Sequence, residues 1–301
     1  MRAGCTTLAA LAHLVAAVQG VRIIHGNDDG WAELYVRSTN AALKAAGHQV
    51  ILSAPAENKS GSSSSDEEPK PRTDACQYNS CPPNSGPLGV NATSPDLHWV
   101  NSFPVTAVRY GIDDFSKQSW PEGPELAVSG PNVGTNVWVQ VPFSGTVGVA
   151  AFAAKDRKIP AIAFSGASGG TLAWNTVPVP ARSTVYAELA TRLVNAVVAG
   201  GKPYLPEDVF LNVNFQSVND RCSKADDFTW ILTRINPPIF SAPDAVSCGD
   251  NRLPREANVI LRNDGCYATI SVGDATDKTT ATAEKQAPVF ARLANFVSCL
   301  P

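Results

Sequence analysis

The chain has 301 residues, 44% of them hydrophobic, and a formal net charge of −3, enough apolar material for a substantial core. That mildly acidic balance excludes the basic footprint required to bind a nucleic-acid polymer. After the first twenty positions no apolar run reaches the roughly 18 residues needed for a membrane-spanning helix.

Arg2 supplies a positive start, and residues 8–18 form an apolar stretch broken only by His13, with small residues leading to Gly20. This is the pattern of a secretory signal peptide over residues 1–20. The remainder, residues 21–301, is expected to be one soluble, secreted α/β domain without membrane contact. Residues 21–24 are a short apolar run that reads as a buried first strand. It ends in His25-Gly26-Asn27-Asp28-Asp29-Gly30. Adjacent carboxylates at the carboxyl end of a strand lie where open α/β sheets bind ligands. Both stay ionised only if a cation or hydrogen-bond donors compensate them. Plain turn chemistry is the competing reading, because Asn, Asp and Gly are ordinary turn residues.

Residues 31–46 carry helical spacing and stop at Gly47, and residues 49–54 read as a second buried strand, giving a right-handed βαβ unit. Residues 57–96, rich in Ser, Pro, Asn and charge, are expected to form a surface insertion, with 62–68 as a mobile loop face. Asn58 and Asn91 head glycosylation sequons within it. A helix is expected over 105–110, a strand over 125–129, a small-residue helix over 145–154 and a strand over 161–165. Residues 184–199 form an amphipathic helix with Ser183 as candidate N-cap, and 209–215 a further strand. Residues 229–234, 258–262 and 267–272 read as strands of a C-terminal extension (216–301) that ends in a helix over 283–297. The predicted fold is α/β, a Rossmann-like, mostly parallel sheet flanked by helices, with a smaller antiparallel or extended C-terminal portion.

Cys5 would leave with the signal peptide, and the remaining Cys76, Cys81, Cys222, Cys248, Cys266 and Cys299 suit a disulfide framework. Cys76–Cys81 is expected as a local staple. Cys222–Cys248 and Cys266–Cys299 are taken as the other two, one of many pairings that six cysteines allow. There is neither a CxxC pair nor a histidine cluster, so zinc is not expected.

Three segments invite catalytic readings. Gly166-Ala167-Ser168-Gly169-Gly170 has the form of a serine-hydrolase elbow. The histidines are His13, His25, His48 and His98, so none follows Ser168 to serve as base in that order, and carboxylester hydrolysis through Ser168 is the weakest reading. The second segment is Asp28-Asp29, to which Ser60 and Asn132 would be added if the strands preceding them are neighbours. Two carboxylates, a hydroxyl and an amide oxygen make a hard site suited to Mg²⁺ or Mn²⁺, with Ca²⁺ also admissible. The third, Ser144-Gly145-Thr146, opens a helix and could bind an anion through its backbone N–H groups, or simply be capped by Ser144.

These residues sit in a longer set of motifs that resembles the SurE (survival protein E) family of nucleotidases and phosphatases. IIHGNDDG resembles the family's opening strand and NDDG, and SAPAENKSGSS its A-P-x-x-x-x-S-G loop. WVNSFPVTAVRYGI resembles its N-G-T-P segment, and FLNVNF a late core strand. SGPNVGTNVWVQVPFSGTVGVAAFAAKDRKIPAIAFS is similar to its long central signature throughout. The chain departs from the family pattern at His25-Gly26, at Ser102-Phe103 and at Pro131. The signal peptide and cysteine-bearing insertion suggest a secreted eukaryotic, fungal branch.

The resemblance implies a divalent-metal-dependent phosphomonoesterase acting on nucleoside monophosphates or, like an acid phosphatase, on a broader range of small phosphate monoesters. By position it makes Asp28, Asp29, Ser60 and Asn132 metal ligands, and Asn132, Asn136, Ser144, Gly145 and Thr146 the phosphate surroundings. Asp28, beside Asp29, is the residue named for nucleophile or base work. It also implies homo-oligomers built through C-terminal extensions, a region that diverges and carries cysteines here. The alternative is a non-catalytic secreted binding protein on the same scaffold, suggested by the Ser102-Phe103 and Pro131 departures.

Overall fold

The protein is represented by a computed structural model that describes residues 20–167, 169–239 and 241–301. Apart from Gly20, the expected signal peptide lies outside the described residues, as does Ser168.

In chain order the elements are β1 (Arg22–Gly26), α1 (Leu34–Ala45), β2 (Gln49–Pro55), β3 (Leu88–Asn91), β4 (Ser94–Val100), α2 (Pro104–Tyr110) and β5 (Leu126–Val133). They continue with α3 (Gly145–Asp156), β6 (Ala161–Gly166), α4 (Ala181–Ala199), β7 (Val209–Phe215), β8 (Thr229–Thr233), α5 (Glu256–Ile260), β9 (Tyr267–Asp274) and α6 (Ala283–Leu293). The strands form one 9-stranded sheet in the order β3-β4-β2-β1-β5-β6-β7-β9-β8. From β4 through β7 neighbouring strands are parallel, whereas β3 is antiparallel to β4 and β9 to β7. The sheet is thus mixed but mostly parallel, as expected.

Helices cover both faces, which is why the central strands read as unbroken apolar runs. On one face Ile23, Val128 and Phe164 pack with Leu43 of α1 and Leu189 of α4. On the other, Ile24, Ala127 and Phe210 pack with Val108 of α2 and Val149 of α3. The chain passes from β1 to β2 on one side, then returns to place β5 on the other. The crevice at the carboxyl ends of β1 and β5 is therefore the topological switch point of the sheet.

Several expectations need correction. Residues 256–260 are helical, not extended: this turn buries Glu256 and Val259 and leaves Leu261 82% exposed, so the apolar run 259–261 imitated a strand. Ser183 does not cap α4. Pro180 holds that position, and Ser183 is buried one turn in, its hydroxyl donating to Ser38 Oγ. The run 62–68 is tethered, with the Glu67 N–H donating to Thr106 Oγ1 and Arg109 binding both Asp66 and Glu68.

The disulfides are Cys76–Cys81, Cys222–Cys266 and Cys248–Cys299, so the first expected pair stands and the other two are replaced. The antiparallel pairing of β7 with β9 is the reason. Phe215 lies opposite Ala268, which brings the chain leaving β7 beside the chain entering β9, and hence Cys222 to Cys266. The tail bridges Ile231 of β8 at Ser298, leaving Cys299 for Cys248.

Candidate active site

The turn after β1 carries Asp28 and Asp29 into the switch-point crevice, each only 2% exposed. Close packing forces glycine at two positions around it. A Cβ on Gly26 would lie 2.4 Å from Val108 Cγ2 of α2, and one on Gly145 would lie 2.8 Å from Asp28 Cβ. The start of α3 is therefore pressed directly against Asp28. The Thr146 N–H donates to Asp28 Oδ2 at 3.1 Å and the Thr146 hydroxyl to Oδ1 at 2.5 Å. Thr146, at the helix terminus where an external anion was expected, directs its N–H to the protein's own carboxylate. The Ser144 hydroxyl oxygen accepts the Val147 N–H at 3.1 Å, a true N-cap.

Asp29 is held by the end of β5 and by the loop after β2. Its Oδ2 accepts the Val133 N–H at 2.7 Å, and its Oδ1 accepts from Asn58 Nδ2 at 3.0 Å and Ser60 Oγ at 3.3 Å. Asn132 comes from a register shift in β5 between Ser129 and Asn132. Its Nδ2 donates to the Gly134 carbonyl at 2.7 Å. That bond fixes which end of the amide is spent and leaves Oδ1 as the available acceptor. The shifted segment is secured from β1: His25 Nε2 donates to the Gly130 carbonyl at 2.7 Å. Burial pushes His25 down to about 4, so the ring is neutral. Two departures from the family pattern, at His25 and at Gly130-Pro131, thus meet in one contact.

Burial also raises the carboxyls. Asp28 is pushed up by desolvation against the opposing Thr146 bonds, and Asp29 up to about 7 by desolvation and by the charge of Asp28. Glu33, which caps α1 by accepting the Tyr35 N–H at 2.5 Å, is pushed up to about 8 by burial and by Asp29. Negative charge is therefore under-compensated here, the condition in which a cation is welcome.

An open cavity of 770 Å³ brings Asp28, Ser60, Asn132, Asn136 and Ser144 to one lining, with Asp29, Gly145 and Thr146 standing behind it. All four residues expected to ligate a metal thus converge. Among the described residues no group of three or more His, Cys, Asp or Glu side chains has metal-site geometry. The donor set is instead two carboxylates with neutral oxygens.

A polar network behind Asn136 was not foreseen. The Asn136 N–H donates to Asn214 Oδ1 at 2.8 Å, and its carbonyl accepts from Asn212 Nδ2 at 2.8 Å and Asn214 Nδ2 at 3.0 Å. Its own Nδ2 donates to Ser165 Oγ at 2.8 Å. Fully buried Glu256 accepts from Asn212 Nδ2 at 3.0 Å, Ser271 Oγ at 2.8 Å and the Trp138 N–H at 3.2 Å. Burial raises it to about 7. The available signal was Asn212 and Asn214 on one face of an otherwise apolar strand, since buried amides demand partners. Among the described histidines, His48 accepts the Val21 N–H and meets Asn195, and His98 stacks on Phe115.

Comparison with known proteins agrees with this architecture. The sequence profile of the survival protein SurE family matches residues 23–236. The chain is 32% identical over 282 residues to an acid phosphatase of Yarrowia lipolytica, spanning 83% of this chain and 78% of that protein. It is 32% identical over 201 residues to a 5′-nucleotidase SurE of Acinetobacter baylyi, spanning 66% of each. The crystal structure of the SurE protein from Aquifex aeolicus matches with a TM-score of 0.56 at 20% identity, covering 90% of this chain and 99% of that one, a likeness of fold. The chain belongs to the SurE family.

Proposed function

We propose that this chain is a secreted, divalent-cation-dependent phosphomonoesterase that hydrolyses nucleoside monophosphates or a broader set of phosphate monoesters. One observation carries the reading: Asp28, Ser60 and Asn132, from the turn after β1, the loop after β2 and the carboxyl end of β5, line one cavity on the switch point, with Asp29 behind it bonded to Ser60. The acid phosphatase and 5′-nucleotidase relatives support the reaction class. The expected leader and the three disulfides support secretion.

The residues fit a hard cation. Every donor is oxygen, Asn132 turns its amide oxygen free, and the raised Asp29 carboxyl marks charge that a cation would neutralise. Asp28, Asp29, Ser60 and Asn132 would hold the ion, which when bound supplies Lewis-acid polarisation of the phosphoryl group. The protein's own groups do the remaining work. Thr146 holds Asp28 in a single orientation facing the cavity, where its carboxylate is placed to attack or to take a proton. The Ser144 hydroxyl, spending its oxygen on the helix cap, keeps its proton for a phosphoryl oxygen. Asn136, pinned by β7, fixes the far wall of the site.

The test is phosphate release from 5′- and 3′-nucleotides and p-nitrophenyl phosphate, with and without EDTA. Turnover that is lost in chelator and restored by Mg²⁺ or Mn²⁺ is expected. Silence on every phosphoester would favour a binding protein, and chelator-insensitive carboxylester hydrolysis would favour Ser168.

A further inference from the structure

A second cavity, of 410 Å³, adjoins the one just described and shares Thr135 and Ala167 with it. Its lining includes Arg221 and Arg262 and, among the described residues, no carboxylate. That sets it apart from the cavity at the amino end of the sheet. There Arg22, Lys158 and Lys202 are each paired with Glu122, Glu125 or Asp208, so no positive charge is spare among the described residues. In the adjoining cavity Arg262 is matched by Asp264 just outside the lining. Among the described residues the Arg221 guanidinium donates only to the carbonyls of Asn263 and Gly265, neither of which bears charge. A guanidinium has five N–H donors, so Arg221 keeps several for a ligand.

The walls are built rather than incidental. Cys222, next to Arg221, is bonded to Cys266, which clamps the chain leaving β7 to the chain entering β9. Gln216 Nε2 donates to the carbonyls of Ile260 at 3.0 Å and Arg262 at 2.8 Å, while its Oε1 accepts the Tyr267 N–H at 2.8 Å. These bonds fix the loop that carries Leu261 and Asn263. Val137 and Ile260 add apolar surface to the same lining. Much of this wall, from Ala257 to Asn263, lies beyond the segment matched by the family profile, which ends at residue 236.

The geometry points to a leaving-group subsite in this second cavity, selecting phosphate monoesters whose leaving group is an apolar spacer ending in a second anion, carboxylate or phosphate, bound by Arg221. This inference rests on the phosphomonoesterase reading. The phosphoryl group occupies the first cavity, the spacer crosses Val137 and Ile260, and the terminal anion takes the free N–H donors of Arg221. A charge-assisted bidentate contact holds it there.

The experiment compares matched alkyl phosphates, with and without a terminal carboxylate, across a series of spacer lengths. The wild type is expected to favour the carboxylated member by about tenfold in kcat/KM at one best length, mainly through KM. Arg221→Gln should bring that ratio close to one, and Arg221→Lys should keep part of it, with thermal unfolding confirming that both variants fold. Hydrolysis of both members with no preference at any length overturns the subsite but leaves the phosphomonoesterase reading intact. A preference that survives in folded Arg221→Gln also overturns it. Failure to hydrolyse any member, together with silence on nucleotides and p-nitrophenyl phosphate, defeats the underlying reading. The subsite is then judged by calorimetry with the corresponding phosphonates, and equal binding of the paired compounds overturns it.

Discussion

Replacing Glu256 by Gln should change how stability depends on pH, in a direction fixed by burial. The carboxyl is fully buried among Asn212, Ser271 and the Trp138 N–H, and desolvation raises it from 4.5 to about 7. The folded chain therefore holds this proton more tightly than the unfolded chain. Its contribution is most favourable below pH 4.5 and is lost as pH rises through about 7. The loss amounts to about 3 kcal/mol by linkage, an upper figure. Gln carries no such proton. Urea unfolding in EDTA at several pH values should show the variant gaining on the wild type by up to that amount between about pH 4.5 and 8. Asp28, Asp29 and Glu33 slope the same way and are present in both proteins, so they cancel in the difference. Parallel stability curves across this window would refute a strained, ionising Glu256.

Asp28→Asn should lower phosphate release by at least about a hundredfold while keeping the fold, because it removes the charge at the cavity but not the shape; near-normal turnover would refute its assignment. Gly145→Ala places a Cβ 2.8 Å from Asp28 Cβ and should cost about 1–3 kcal/mol, seen as a lower Tm together with lost activity. In secreted protein, Asn91 should carry the glycan and Asn58 should not, since Asn58 Nδ2 is already spent on Asp29 Oδ1. Peptide mapping before and after deglycosylation decides this, and an occupied Asn58 would mean that its loop sits elsewhere.

What could be read from the sequence was what short-range pattern controls. Buried parallel strands announce themselves as apolar runs, and the candidate site residues sit at or just past their carboxyl ends. Asp28, Ser60 and Asn132 could therefore be expected at one edge on the condition that their strands are neighbours, which the order β2-β1-β5 meets. What could not be read depends on pairing across distance. Glu256 looks like a surface residue in a short polar stretch until Asn212 and Ser271 close around it. The partner of Cys222 follows from β9 running antiparallel to β7, and that of Cys248 from the tail bridging β8 at Ser298, which no local pattern encodes. Thr146 was expected to face an anion from solution, and a neighbouring carboxylate supplied one instead.

The two ends of the sheet bear on how the protein behaves when crowded. At one end, β3 is only 4 residues long and slips register between Val90 and Asn91, where the second sequon begins. At the other, β8 is bridged at Ile231 by Ser298, and Arg234 just after it is bridged by Arg255. An unpaired strand edge is a template for another chain, and short, irregular or covered edges withhold it. The chain is thereby guarded against growth into strand-linked aggregates at high concentration, and pairing of copies is steered towards side-chain surfaces instead of the backbone.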